Sequence, residues 1–227
     1  MPREAPRQYP LALPVEARFG AEDYFVAEPN RPAHALVTAW PNWPDRILLL
    51  VGPEGAGKSH LAAIWARQAE AHVAGDARDA LEALLAAPER AILLDNIDAE
   101  GVDETELFHL LNAVREHRGN LMLAARGTPT LLWPTLPDLA SRLRALPVAR
   151  LEPADDAMVA AVLVKLIDDR QLRVEADVVE FLARRADRSL GAVRALVEAL
   201  DHESLARGRA VGRGLAADVI ARMQEDD

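Results

Sequence analysis

Five consecutive apolar residues, Ile47–Val51, run straight into Gly52-Pro53-Glu54-Gly55-Ala56-Gly57-Lys58-Ser59. Leu61, Ile64 and Trp65 then recur at helical spacing. An unbroken apolar run of this length is the signature of a strand buried on both faces. The spacing G-x-x-x-x-G-K-S between a strand and a helix is that of a loop whose backbone N–H groups wrap phosphates. The first turn of the helix adds its positive end. Lys58 would reach the terminal phosphates as a point charge, and the Ser59 hydroxyl would ligate Mg²⁺. The phosphate cradle is therefore assigned to Gly52, Gly55, Ala56, Gly57, Lys58 and Ser59.

The rest of the chain is organised around this unit. Strands are read at residues 46–51, 91–95, 120–125 and 147–151. Helices are read at 33–40, 58–71, 103–117 and near 139–144. A further helix is capped by Asp76, with Leu81, Leu84 and Leu85 at helical spacing. Leu107, Leu110, Leu111 and Val114 form the inner face of the helix over 103–117. From residue 155 the pattern is purely helical, at 155–169, 176–186, 190–206 and 215–223. Strands alternating with helices, then helices alone, predict an α/β layer with a parallel sheet, followed by a small all-α subdomain. The limits are 19–152 for the α/β core and 153–227 for the helical part. Pro2, Pro6, Pro10 and Pro14 make residues 1–18 an extended arm.

Composition narrows the functions. The chain has no cysteine, which excludes a disulfide scaffold and thiolate-bound zinc. Its six histidines show no metal-ligand spacing. A net charge of -10 argues against independent DNA binding, which rests on cations neutralising phosphates. No apolar run approaches the roughly 18 residues of a membrane span. The first residues do not read as a signal peptide. A soluble, cytoplasmic chain without membrane contact is expected.

The second half of the nucleotide site is Ile92-Leu93-Leu94-Asp95, an apolar strand ending in a carboxylate that would share Mg²⁺ with Ser59. Asn96 follows, where a second acid would polarise water. Its amide accepts no proton from water, so binding with slow intrinsic hydrolysis is expected.

Several segments together resemble the DnaA-related AAA+ family, and within it the shorter regulatory branch typified by Hda. Phe25-Val26, followed by Asn30, is similar to the family's adenine-holding segment. Gly57-Lys58-Ser59-His60-Leu61 resembles its phosphate-loop helix, which brings His60 into the set. Asp95-Asn96-Ile97 is similar to the regulatory branch. Leu136-Pro137-Asp138-Leu139-Ala140-Ser141-Arg142-Leu143 resembles the segment that carries an arginine finger. The resemblance covers residues 8–222. It implies an AAA+ phosphate-loop domain with a parallel five-stranded sheet and a helical lid. It implies that Arg142 acts in trans on a neighbour's nucleotide, with Arg144 as the runner-up. Arg194 matches the lid arginine that touches the chain's own nucleotide, with Arg188 competing. At the end of the strand over 120–125 the family places a polar residue, and this chain has Ala125 and Arg126.

In the arm, Gln8-Tyr9-Pro10-Leu11-Ala12-Leu13 resembles the peptide that docks on the DNA polymerase III sliding clamp. Leu11 and Leu13 would fill an apolar groove and Gln8 would hydrogen-bond beside it. A duplex-reading helix is not expected after residue 222. The resemblance thus implies a negative regulator of replication initiation. It would bind ADP or ATP with Mg²⁺, dock on the clamp, and stimulate hydrolysis of DnaA-bound ATP. A homodimer is a further expected partner state. The alternatives are an autonomous ATPase of helicase-loader type and a non-hydrolysing clamp adaptor.

Overall fold

A computed structural model describes residues 24–130 and 133–225. The arm, with Gln8, Leu11 and Leu13, lies outside the described residues. The chain divides into two compact units, with the break between Pro153 and Ala154.

In the first unit the order is α1 (Arg31–Thr38), β1 (Ile47–Val51), α2 (Lys58–Gln68), β2 (His72–Ala74), α3 (Ala77–Ala86), β3 (Ala91–Leu94), α4 (Glu104–His117), β4 (Asn120–Ala125), α5 (Pro137–Arg144) and β5 (Val148–Arg150). The five strands pair in parallel in the order β2-β3-β4-β1-β5. The α/β expectation is thus met, with a parallel five-stranded sheet flanked by helices. Every residue of β1 is buried, as its unbroken apolar run requires.

Side chains alternate along a strand, so the sheet makes two cores. Ile47, Leu49 and Val51 face one core, with Leu107, Leu110, Leu111 and Val114 of α4 and Leu139 and Leu143 of α5. Leu48 and Leu50 face the other, with Leu61 and Trp65 of α2 and Val37 of α1. Trp43 stacks on Trp65 at 5.1 Å between ring centroids, and Trp40 meets Trp65 edge-on at 6.4 Å. The helices start where short acids can accept a backbone N–H. Asp76 caps α3 through Asp79 N at 2.8 Å, and Asp103 caps α4 through Thr105 N at 2.9 Å.

Two sequence readings change. The run at 72–74 is a strand, missed because three residues with Val73 63% exposed carry no periodic signal. The buried face of α3 is Ala77, Ala80 and Leu84, and Leu85 is 56% exposed. Small alanines let that helix sit close, and Leu85 falls on its outer side. Boundaries also shift: α2 stops at Gln68, and the chain reverses through Glu70 at φ +49.

The second unit is helical: α6 (Asp156–Asp169), α7 (Ala176–Ala183), α8 (Leu190–Arg207) and α9 (Arg213–Glu225). Asp155 caps α6 and Ser189 caps α8. Gly208, at φ +60, closes α8 in the left-handed region that glycine adopts without strain. No helix among the described residues is long and apolar enough to cross a membrane.

Candidate functional site

The loop leaves β1 clamped between its neighbours. Gly52 N donates to Ala125 O at 3.3 Å, and Leu151 N donates to Val51 O at 2.8 Å. A Cβ on Gly52 would stand 2.8 Å from Leu151 O and 2.9 Å from Leu151 Cβ. The adjoining chain therefore dictates this glycine by itself. Gly55 and Gly57 have φ of +72 and +93, so the loop's turns need them. Gly57 ends the loop as the N-cap of α2 and gives no side-chain cap. A glycine at this position offers the first N–H groups of α2 no side-chain acceptor of its own.

Lys58 is 8% exposed, and its ammonium donates to Gly52 O at 2.7 Å and Pro53 O at 2.9 Å. Burial pushes it below its ordinary value, Asp95 and Asp98 oppose that shift, and Arg126 adds to it. Ser59 Oγ donates to Asp95 Oδ2 at 3.0 Å. The sheet thus brings together two residues 36 positions apart. A hydroxyl and a carboxylate are the hard oxygen donors that Mg²⁺ takes alongside phosphate and water. The other oxygen, Asp95 Oδ1, accepts from Asn96 N at 2.7 Å. Asn96 has φ +54, a conformation that Asn tolerates better than most residues. Its identity therefore has a backbone reason beside the chemical one.

Phe25, Val26 and Asn30 lie in the segment before α1. Asn30 is buried, and its amide is spent on that segment. Oδ1 accepts from Ala27 N and Nδ2 donates to Phe25 O, both at 2.8 Å. Phe25 is half-buried and Val26 is exposed. Tyr24, which the sequence did not single out, stacks on His34 at 5.5 Å and meets His60 edge-on at 5.2 Å. It ties this segment to the helix that opens at Lys58. Burial pushes the Tyr24 phenol up, with Asn30 opposing.

Asp98 was also missed. Its Oδ2 accepts from Arg126 N at 2.8 Å and Gly127 N at 3.3 Å, tying the end of β4 to the chain after β3. The Arg126 guanidinium lies 3.6 Å from the Glu54 carboxylate of the loop. The acid at the fourth position of Asp95-Asn96-Ile97-Asp98 was the visible signal.

Arg142 sits on α5 with its guanidinium over the Phe108 ring of α4, 4.7 Å from the centroid. Arg144 Nε donates to Ala140 O at 3.1 Å, within its own helix. In the helical unit Arg194 lies half-buried in the first turns of α8. Its competitor Arg188 pairs with Asp156 at 3.0 Å.

No family model matches the chain. It is 28% identical over 256 residues to the chromosomal replication initiator protein DnaA of a Caulobacter strain, covering 97% of this chain and 52% of that protein. The DnaA of Caulobacter vibrioides is 26% identical over 244 residues, covering 93% of this chain and 49% of that protein. The chain spans about half the length of these curated relatives. Among solved structures, domain III of Thermotoga maritima DnaA superposes with a TM-score of 0.73 at 20% identity, covering 92% of this chain and 98% of that one. AMPPCP-bound DnaA from Aquifex aeolicus gives 0.66 at 20% identity, over 84% of this chain and 68% of that one. The RuvB branch migration motor of Thermotoga maritima gives 0.63 at 16% identity, over 84% and 65%. In sequence the chain is similar to DnaA, and in fold to the AAA+ domains of DnaA and RuvB.

Proposed function

We propose that this chain is a replication regulator of the Hda type. It binds ADP or ATP with Mg²⁺ and supplies Arg142 in trans to ATP-bound DnaA. The pairing of Ser59 with Asp95 beside a buried Lys58 carries the nucleotide half of this reading. Similarity to a replication initiator, and to an initiator solved with AMPPCP, supports an adenine nucleotide. In the chain's own site the backbone gives the sharp turn after Asp95 to Asn96, which takes no proton from water. Arg142 is meanwhile held over Phe108 at the surface of α4 and α5. Slow turnover in cis, together with an arginine stacked on Phe108, would suit a protein that completes another's site. Arginine fingers supplied this way are worth about 10³ to 10⁵ in rate. The Gln8, Leu11 and Leu13 arm would recruit the chain to the DNA-loaded clamp.

The test is a coupled assay. DnaA is preloaded with labelled ATP and mixed with this chain, ADP, and clamp on DNA. Wild type should accelerate hydrolysis, while Arg142→Ala and Leu11→Ala should not. No acceleration by wild type rejects the proposal. One observation favours the autonomous ATPase instead: Asp98 puts a second carboxylate within electrostatic reach of Lys58. That reading requires rapid phosphate release by the isolated chain.

A further inference from the structure

We infer that Glu104 is a positioning residue for Arg142. From the first turn of α4 it caps the start of α5, and so sets the direction in which α5 presents its guanidinium. The functional half of this inference rests on the trans-acting reading above. The structural half does not.

The need for a cap is written in α5 itself. The helix has eight residues and begins at Pro137, with Leu136 in the N-cap position. Leucine has no acceptor to offer, and no side chain of its own segment caps the helix. Unpaired N–H groups at a helix start need partners. Pro137 brings no N–H, which leaves those of Leu136, Asp138 and Leu139 at the start of the helix, and Glu104 takes the first of them.

Glu104 supplies the acceptors from more than 30 residues away in sequence. Oε1 accepts from Thr135 N at 2.8 Å, and Oε2 accepts from Leu136 N at 2.6 Å and from the Thr135 hydroxyl at 2.9 Å. Both carboxylate oxygens are used, and every bond is charge-assisted. Burial alone would raise the Glu104 carboxyl, but these bonds outweigh it and hold the group below the usual range. The negative charge also sits at the positive ends of two helices, α4 and α5.

One turn further along α4, Phe108 lies under Arg142. The same helix face therefore grips α5 at its start and again near its end. An isolated eight-residue helix is marginal in water, so its placement depends on such anchors. With the Glu104 anchor lost, α5 would still pack through Leu139 and Leu143, but its start would be free to shift. Arg142 lies five residues beyond Pro137, and a shift at the start carries it along.

The experiment uses the full chain and four variants: Glu104→Ala, Glu104→Gln, Arg142→Ala, and Glu104→Ala with Arg142→Ala. Two readouts are taken. The first is hydrogen exchange at the Thr135 and Leu136 amides. The second is stimulation of hydrolysis of DnaA-bound ATP at saturating chain, with the chain's own nucleotide affinity measured alongside. Glu104→Ala should speed exchange at the two amides by about tenfold or more, as charged hydrogen bonds are lost. It should lower stimulation without changing nucleotide affinity. Glu104→Gln keeps one acceptor oxygen and should recover part of both. Adding Glu104→Ala to Arg142→Ala should lower stimulation no further. Unchanged exchange at both amides overturns the capping role. Faster exchange with full stimulation, when Arg142→Ala abolishes it, overturns the positioning role. If wild type stimulates nothing, the trans-acting reading fails, and exchange alone then decides the capping role.

Discussion

Gly52→Ala isolates how far the glycine-rich loop after β1 is set by its neighbour strand. The added Cβ would lie 2.8 Å from Leu151 O and 2.9 Å from Leu151 Cβ. Both distances are below van der Waals contact, and neither partner is a flexible tip. Leu151 is 1% exposed, and its N–H is bonded to Val51 O. Gly52 cannot retreat the other way without straining its bond to Ala125 O. Overpacking of this kind costs ~1–3 kcal/mol. For a chain of this length that lowers Tm by about 2–4 °C per kcal/mol. Replacing glycine also removes freedom from the unfolded chain, a gain of ~0.4–1 kcal/mol that offsets part of the loss. Gly127→Ala is the control, since a Cβ there meets nothing within 4 Å. It should shift stability by no more than about the same small gain. The second readout is nucleotide affinity, because Gly52 O is a ligand of the Lys58 ammonium and moves with the strand end. Thermal melts and nucleotide titrations of both variants decide the matter. Gly52→Ala should melt several degrees below Gly127→Ala and bind nucleotide more weakly. Equal melting and equal binding would refute the strand-clamp argument.

Asn96→Asp restores a proton acceptor next to Asp95, and Asp also tolerates the left-handed backbone there. Phosphate release by the isolated chain should rise with folding unchanged, and an unchanged rate would remove Asn96 as the limit on hydrolysis. Asp79 is held below its ordinary value by the Gly75 N–H and then by His72. A carboxyl depressed on folding adds stability above its unfolded value, lost as pH falls through the folded one, so Asp79→Asn should flatten the fall in Tm below about pH 4. Trp65 is fully buried between Trp40 and Trp43. Trp65→Ala should cost ~3–5 kcal/mol in a denaturant titration.

What the sequence disclosed and what it hid follow from the range of each interaction. The strand-loop-helix unit from Ile47 to Gln68 was legible because strand, glycines, lysine and helix are contiguous. Asp95 was legible because a buried strand ending in a carboxylate is a local pattern. The strand at His72–Ala74 was not, since its pairing with Ile92–Leu94 is the only thing that makes three residues a strand. Leu84 and Leu85 could not be told apart by spacing. The choice was made by Leu110, Leu111 and Val114 across the core. Tyr24 and Glu104 were hidden for a related reason. Each works through backbone or ring contacts to distant segments, and no residue type announces that. Asn30 was singled out for the adenine segment, but its burial and its two backbone bonds appear only in three dimensions.

Asp95, Asp98, Arg126 and Glu54 all act electrostatically on Lys58. That is three carboxylates against two cations, an excess of one negative charge where the proposed nucleotide would place its phosphates. The Arg126–Glu54 pair does little to change this, since it is exposed and 3.6 Å long, the kind of pair worth ~0–1 kcal/mol. A nucleotide alone adds further negative charge beside Asp95. Like charges about 4 Å apart repel by ~4 kcal/mol at an effective dielectric near 20. A divalent cation held by Ser59 and Asp95 turns that repulsion into attraction. Nucleotide affinity should therefore fall at least about tenfold when Mg²⁺ is chelated, 1.4 kcal/mol being a factor of ten. Asp95→Asn, which removes the excess charge, should bind metal-free nucleotide better than wild type while losing most of the response to Mg²⁺. Calorimetric titrations with and without chelator make the comparison. Equal affinities for wild type under both conditions would show that the loop's backbone N–H groups alone balance the phosphates.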